Sequence, residues 1–213
     1  MSGIRIGFGL LLILVFQAVL AGAYEDTLEA IKRSNVGAIN DLLKRGVDVN
    51  TTDKDGNSLL MNASRSGAEE AVRSLLAARP RIDATNALGE TALMLAALGG
   101  HTSVVRQLID NGAKSNHDGW TPLIYAAVSG KVEICKLLLD HGANVNGTAT
   151  NGYTALMMAS REGRRELVSF LLANGANPRM ETGAGLDALA IARSFKQTEV
   201  ADVLSKVVGS GQH

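Results

Sequence analysis

The chain has 213 residues, 46% hydrophobic and 4% aromatic, and a formal net charge of +0. Balanced charge argues against a general electrostatic grip on nucleic acid or on an anionic membrane. Aromatic poverty argues against a sandwich or barrel, and a single cysteine, Cys135, excludes an intramolecular disulfide.

Residues 1–23 stand apart. Arg5 gives a short positive start, and residues 6–20 are apolar apart from Gln17 and small residues. Ala21-Gly22-Ala23 is a small-x-small cleavage pattern. This reads as a secretory signal peptide cut after Ala23, with an uncleaved anchor as the alternative; the apolar run is short for a membrane span. The mature chain is therefore expected to open directly on a helix, with Glu25, Asp26 and Thr27 at its N-terminus. Ala30 and Ile31 are expected to face inward. A second helix carries Ala38, Ile39, Leu42 and Leu43 and closes at Gly46.

The next unit, residues 53–85, starts a helix at Ser58-Leu59-Leu60 and ends its second helix at Arg79-Pro80. Proline stops the helix, and the loop there is expected to take another shape from its relatives along the chain. Residues 86–115 carry Thr91, Leu93, Ala96, Ala97 and Gly100, then the stripe Val104, Val105, Leu108 and Ile109. This unit is three residues short before Asn116, so a clipped projecting loop is predicted.

Residues 118–146 hold the clearest unit. Asp118-Gly119 is a turn dipeptide. Thr121 can cap a helix, and Pro122 suits its first position. Ala126-Ala127 keep one face thin, and Gly130 stops the helix in a left-handed conformation. Ile134, Cys135, Leu138 and Leu139 form the stripe of the second helix. Residues 149–181 repeat the plan with Thr154, Leu156, Ala159, Gly163 and the stripe Leu167, Val168, Leu171, Leu172. From Thr182 a last unit uses Asp187 as cap and Lys196 in place of the turn glycine. Its final helix mixes Val200, Val203 and Leu204 with Asp202, Ser205 and Lys206, the polar outer side a terminal repeat needs. Residues 209–213 are expected to form a flexible tail.

The turn glycines Gly56, Gly89, Gly119, Gly152 and Gly185 are spaced 33, 30, 33 and 33 residues apart. With the T-P-L start at residues 121–123 and its registered copies, this pattern resembles the ankyrin repeat over about residues 24–208. The resemblance implies an all-α solenoid of about six helix-turn-helix repeats with projecting hairpin loops, the first and last acting as caps. Ankyrin repeats usually place His after T-P-L; here Met61, Met94, Ile124, Met157 and Ala190 stand there. A polar network between repeats is therefore expected to be missing, with apolar packing in its place.

Catalytic chemistry finds little support. His101, His117, His141 and His213 share no ligand spacing, so no metal or cofactor is expected. No nucleophile elbow or phosphate loop is visible. Cys135 lies on a buried stripe and reads as packing. Three N-x-[ST] matches, at Asn50, Asn62 and Asn146, read as chance.

What remains is surface. By register with the ankyrin family, the concave face carries Asn57, Glu90, Trp120, Tyr153 and Leu186 just after each turn glycine. It carries Arg65, Leu98, Val128, Arg161 and Ser194 on the first helices. The expected protein-binding residues are Arg65, Leu98, Trp120, Tyr125, Val128, Tyr153 and Arg161, with Leu88 near them in register. Trp and Tyr supply contact area at low entropic cost. The resemblance implies a non-enzymatic, monomeric, protein-binding module exported to a bacterial periplasm, with a protein partner, no nucleic acid and no stable membrane insertion. It is similar to small exported ankyrin proteins that support a haem catalase in peroxide defence. The alternative is similarity to immunity proteins that inhibit a toxic enzyme in the periplasm.

Overall fold

The computed structural model describes residues 22–210. The bulk of the expected signal peptide, His213 and residues 211–213 of the expected tail lie outside them. Six antiparallel helix pairs follow one another among the described residues. They are α1 (residues 22–32) and α2 (Val36–Lys44), α3 (Leu59–Ser66) and α4 (Glu69–Ala77), and α5 (Ala92–Gly99) and α6 (Thr102–Asp110). Then come α7 (Pro122–Ser129) and α8 (Val132–Asp140), α9 (Ala155–Arg161) and α10 (Arg165–Ala173), and α11 (Ala188–Ser194) and α12 (Thr198–Ser210). First helices pack on first helices and second on second, giving two layers in an all-α solenoid. Helix α1 already includes Gly22 and Ala23, ahead of the expected start, and α12 runs two residues into the stretch expected as a tail.

From α3 on, the first helix of each pair is started by a side chain, whereas α4, α6, α8 and α10 have no side-chain cap. Ser58 Oγ, Thr91 Oγ1, Thr121 Oγ1, Thr154 Oγ1 and Asp187 Oδ1 accept from the N–H three residues on, satisfying a donor with no partner inside the helix. The methionines standing in the usual histidine position complete two of these caps. Met61 and Met94 sulfurs accept the Ser58 and Thr91 N–H groups, each at 3.4 Å.

The inward stripes of the middle repeats are as expected with two exceptions, and in α2 only Ile39 is buried, Ala38, Leu42 and Leu43 being half-buried. Val104, Val105, Leu108, Ile134, Cys135, Leu138, Leu167, Val168 and Leu171 are buried. Leu139 and Leu172, expected inside, are only half-buried, while Leu137 is buried.

The loop after α4 contradicts the expected departure. Arg79 adopts φ 53, the left-handed region that Gly112, Gly142 and Gly175 occupy at the same place. The backbone keeps the common shape and a non-glycine residue bears the strain. Lys196 does the same at φ 58, in place of a turn glycine. Gly67 shows what glycine otherwise serves here. It has φ 70, and a Cβ on it would stand 2.5 Å from His101 Nδ1. His101 folds back over it, with Nε2 3.1 Å from the Arg65 carbonyl oxygen. Gln197 repeats the contact by donating to Arg161 O at 3.0 Å.

A second ladder joins the loops behind the hairpins. Asn50, Asp83, Asn116 and Asn146 each accept, through the side-chain oxygen, the main-chain N–H of Arg81, Lys114, Asn144 and Asn177 at 2.7–3.0 Å. Asn116 and Asn146 also donate to the carbonyls of Gly142 and Gly175. Each loop is thus registered on the next.

Candidate functional site

The concave face divides into two halves of different chemistry. In the first half the residues after the turn glycines are polar and turned inward. Asn57 and Glu90, expected to be presented to a partner, are each 9% exposed. They belong to a network that crosses repeats. Tyr24 Oη donates to Asn57 O at 3.1 Å and accepts from Asn62 Nδ2 at 2.8 Å. Asn86 Nδ2 reaches Asn57 Oδ1 at 3.0 Å and Glu90 Oε2 at 2.8 Å. Tyr125 Oη donates to Glu90 Oε1 at 3.0 Å.

The expectation that no polar network joins the repeats is therefore corrected. It runs from the first repeat to the fourth, through hairpin residues rather than through the usual histidine position. The sequence signal was present: a tyrosine one repeat before Asn57 and another one repeat after Glu90. Burial, then the charges of Asp53 and Glu25, push the Tyr24 hydroxyl up to about 12. Burial, then the Glu90 hydrogen bond and charge, hold the Tyr125 hydroxyl well above the usual phenol range. Burial opposes ionisation of Asp53, but the Asn57 amide and the Asn57 and Asp55 N–H groups hold it below the usual carboxylate range. These groups are fixed donors and acceptors at neutral pH.

Arg65 sits at the edge of this network. Its Nη2 is 3.4 Å from Asn57 Oδ1 and 3.7 Å from Glu90 Oε2, and its side chain stays 48% exposed. Surface attraction of this kind is weak, but it holds the guanidinium in place.

The second half is apolar. Trp120 and Tyr125 pack ring to ring with centroids 5.6 Å apart and planes at 53°. Val128 and Tyr153 lie beside them in register. Trp120, Tyr125, Val128 and Tyr153 are half-buried against the core rather than fully exposed. Leu98 is 39% exposed and Leu88, at a hairpin tip, 82%. Arg161 is exposed, with Nε 3.8 Å from Glu162 Oε1 and its guanidinium 5.0 Å from the Phe195 ring centroid. Phe195 was not singled out in the sequence. It is exposed, as are Ser66, Gly99 and Glu162 at the matching position of other repeats. The structure thus gathers Leu98, Trp120, Tyr125, Val128 and Tyr153 onto successive repeats, with Arg65 before them and Arg161 after.

No described group of three or more His, Cys, Asp or Glu residues stands where it could hold a metal. No described helix is long and apolar enough to cross a membrane. Cys135 is fully buried, and burial pushes its thiol up to about 12. The three glycosylation-type asparagines all spend their amide nitrogens internally, on Asp48, Tyr24 and the Gly175 carbonyl.

The family model described as ankyrin repeats, three copies, fits residues 28–117, 75–149, 114–182 and 143–210, which together span nearly all of the described chain.

Proposed function

The chain belongs to the ankyrin-repeat family, whose repeats serve as protein–protein interaction modules, and from that premise we propose that it is an exported, non-enzymatic binding protein. The observation that carries the reading is the apolar half of the concave face. Leu98, Trp120, Val128 and Tyr153 recur in register although the inward stripes already fill the core. An apolar strip that core packing does not require marks a partner site. Arg65 and Arg161 bracket it and orient the partner through charge-assisted hydrogen bonds.

The leader-like residues 1–23 support export to a bacterial periplasm, and the partner is a protein met there. Support of a haem catalase in peroxide defence is the role we favour. The strip is half-buried and modest, and its flanking arginines are already engaged, which suits a reversible contact. Inhibition of a toxic enzyme is the competing outcome. Capture of partners from the protein's own periplasm by the mature chain, with identification by mass, separates the two. Trp120→Ala with Tyr153→Ala is expected to keep the helical spectrum and weaken capture by roughly 2 kcal/mol or more. Full-strength capture by this variant would move the site to the outer faces of the second helices.

A further inference from the structure

The hairpins follow one rule that a single repeat breaks. The residue after each turn glycine accepts, at its carbonyl, the N–H four residues before it. Asp53 donates to Asn57 at 3.1 Å, Asn86 to Glu90 at 3.1 Å, Ala149 to Tyr153 at 2.8 Å and Thr182 to Leu186 at 3.0 Å. The N–H of the same residue donates to a side chain: Asn57 to Asp53, Glu90 to Asn86, Tyr153 to Asn151 and Leu186 to Thr182. Trp120 is the fifth member of this set. Among the described residues neither its N–H nor its C=O has a hydrogen-bond partner.

The cause lies in the shortened loop. The loop ladder equates Asn116 with Asn146, since each accepts from the loop of the next repeat. The turn equates Gly119 with Gly152, both left-handed at φ 82. Between these anchors the fifth repeat has five residues, 147–151, and the fourth has two, His117-Asp118, so Gly147-Thr148-Ala149 have no counterpart. The missing stretch contains the two residues that close the fifth hairpin. Thr148 bridges Thr154, and Ala149 donates to Tyr153. Trp120 has therefore lost its main-chain partner along with that strand.

The hairpin tips show the same break. Ala87 N–H donates to Asp55 O, joining hairpins two and three, and Gly183 N–H donates to Asn151 O, joining five and six, each at 3.0 Å. Leu88 stands where Asp55 and Asn151 stand, and its carbonyl has no such bond. An open depression lined by Lys114, Asn116, His117 and Asp118 marks the place.

We propose that the Trp120 main chain is an open docking edge that takes an extended segment of a partner polypeptide, whose backbone supplies the N–H and C=O groups the shortened hairpin lacks. Backbone is the complement the site calls for: one unpaired acceptor and one unpaired donor on a single residue, where four sister residues use both. Strand addition of this kind draws affinity from main-chain bonds and specificity from side-chain contacts. Here the Trp120–Tyr125 ring pair gives the segment's apolar side chain a surface. The inference rests on the concave-face reading and adds the conformation of what binds there.

The test compares the mature chain with a variant carrying Gly-Thr-Ala inserted between Asn116 and His117, which closes the hairpin and keeps every aromatic side chain. The probe is a displayed library of random linear peptides selected on the unmodified chain. Selected peptides should bind the insertion variant at least tenfold more weakly. N-methylation of one backbone amide should cost a similar factor, while methylation of its neighbours on the opposite edge should not. Amide exchange supplies a second measurement on the unmodified chain: Trp120 N–H should exchange fast when free, unlike Glu90 N–H, and slow on peptide binding. Equal binding to the insertion variant, a flat methylation scan, unprotected Trp120 in the complex, or no selected peptide overturns the proposal. If the insertion is harmless while Trp120→Ala with Tyr153→Ala abolishes binding, only side chains are read and the concave-face reading stands alone. If neither change matters, both fall.

Discussion

Tyr24 and Asn57 are joined across one repeat length: the Tyr24 hydroxyl donates to the Asn57 carbonyl at 3.1 Å while Asn62 donates back to that hydroxyl. The bond ties the first repeat to the second at a buried position, Tyr24 being 4% exposed. Tyr24→Phe keeps the ring and removes both bonds. It should cost on the order of 1 kcal/mol, read from the shift of a denaturant melt.

The same residue gives a pH dependence. Its folded value is raised from about 10 to about 12, so the neutral form is the one the fold favours. Its contribution should be complete below pH 10 and should fall as pH rises through 10 to 12. Thermal melts across that window should show a steeper loss in the natural chain than in Tyr24→Phe. Equal slopes would mean that the hydroxyl is not held.

Helix starts and stripes give a matched pair. Thr121 Oγ1 accepts from Ile124 N–H at 3.3 Å, so Thr121→Ala should cost about 1 kcal/mol. Leu138 is fully buried, and Leu138→Asp places an unpaired charge there, an expected loss of about 3 kcal/mol or more. The register would be wrong if both melted with the natural chain.

Three described non-glycine residues, Ser34, Arg79 and Lys196, carry backbone strain that glycine would relieve, and the last two give a test. Arg79 and Lys196 hold φ values of 53 and 58 where sister repeats have glycine. Arg79→Gly and Lys196→Gly should each raise stability by up to about 1 kcal/mol, less the entropy glycine brings to the unfolded chain. A fall in melting temperature for both would show that their side chains contribute more than the strain costs.

Cys135 is expected to be inert. Its thiol is fully buried and its ionisation is pushed up to about 12, so little thiolate forms at neutral pH. A thiol reagent should label it only after unfolding. Rapid native labelling would indicate an opening of α8 that the packed stripe does not allow for.

The repeat plan was legible in the sequence because it is local. Turn glycines, caps such as Thr121 and stripes such as Val104–Val105–Leu108 each fix a few neighbouring residues, and their spacing then orders the stack. The shortening was legible as a count but was placed before Asn116; the ladder keeps Asp83 and Asn116 a full repeat apart, so the lost residues fall between Asn116 and Gly119. What escaped was long-range. Nothing near Asn57 or Glu90 says that each is satisfied from a different repeat, so both looked presented when they are buried. The loop after α4 was misjudged because composition argued against a left-handed Arg79, and neighbouring ladder bonds such as Arg81 N–H to Asn50 outweigh that preference. Register placed Leu98, Trp120, Val128 and Tyr153 on equivalent positions of successive repeats. It overstated the exposure of the last three, since large rings lean on the stack they rise from.

The loop ladder also dictates where such a chain tolerates a change of length. Asn50, Asp83, Asn116 and Asn146 hold each loop at a fixed distance from the next, so a gain or loss of residues between the second helix and the ladder position would misalign every later repeat. Between the ladder position and the turn glycine, main-chain bonds join the tips of hairpins two and three and of hairpins five and six, but none reaches the shortened hairpin. The three-residue shortening falls in that interval, and the ladder continues through Asn116 undisturbed. Mutational drift in loop length is thereby channelled to the hairpins, the one part of each repeat that can be resculpted for a new client without unseating the others.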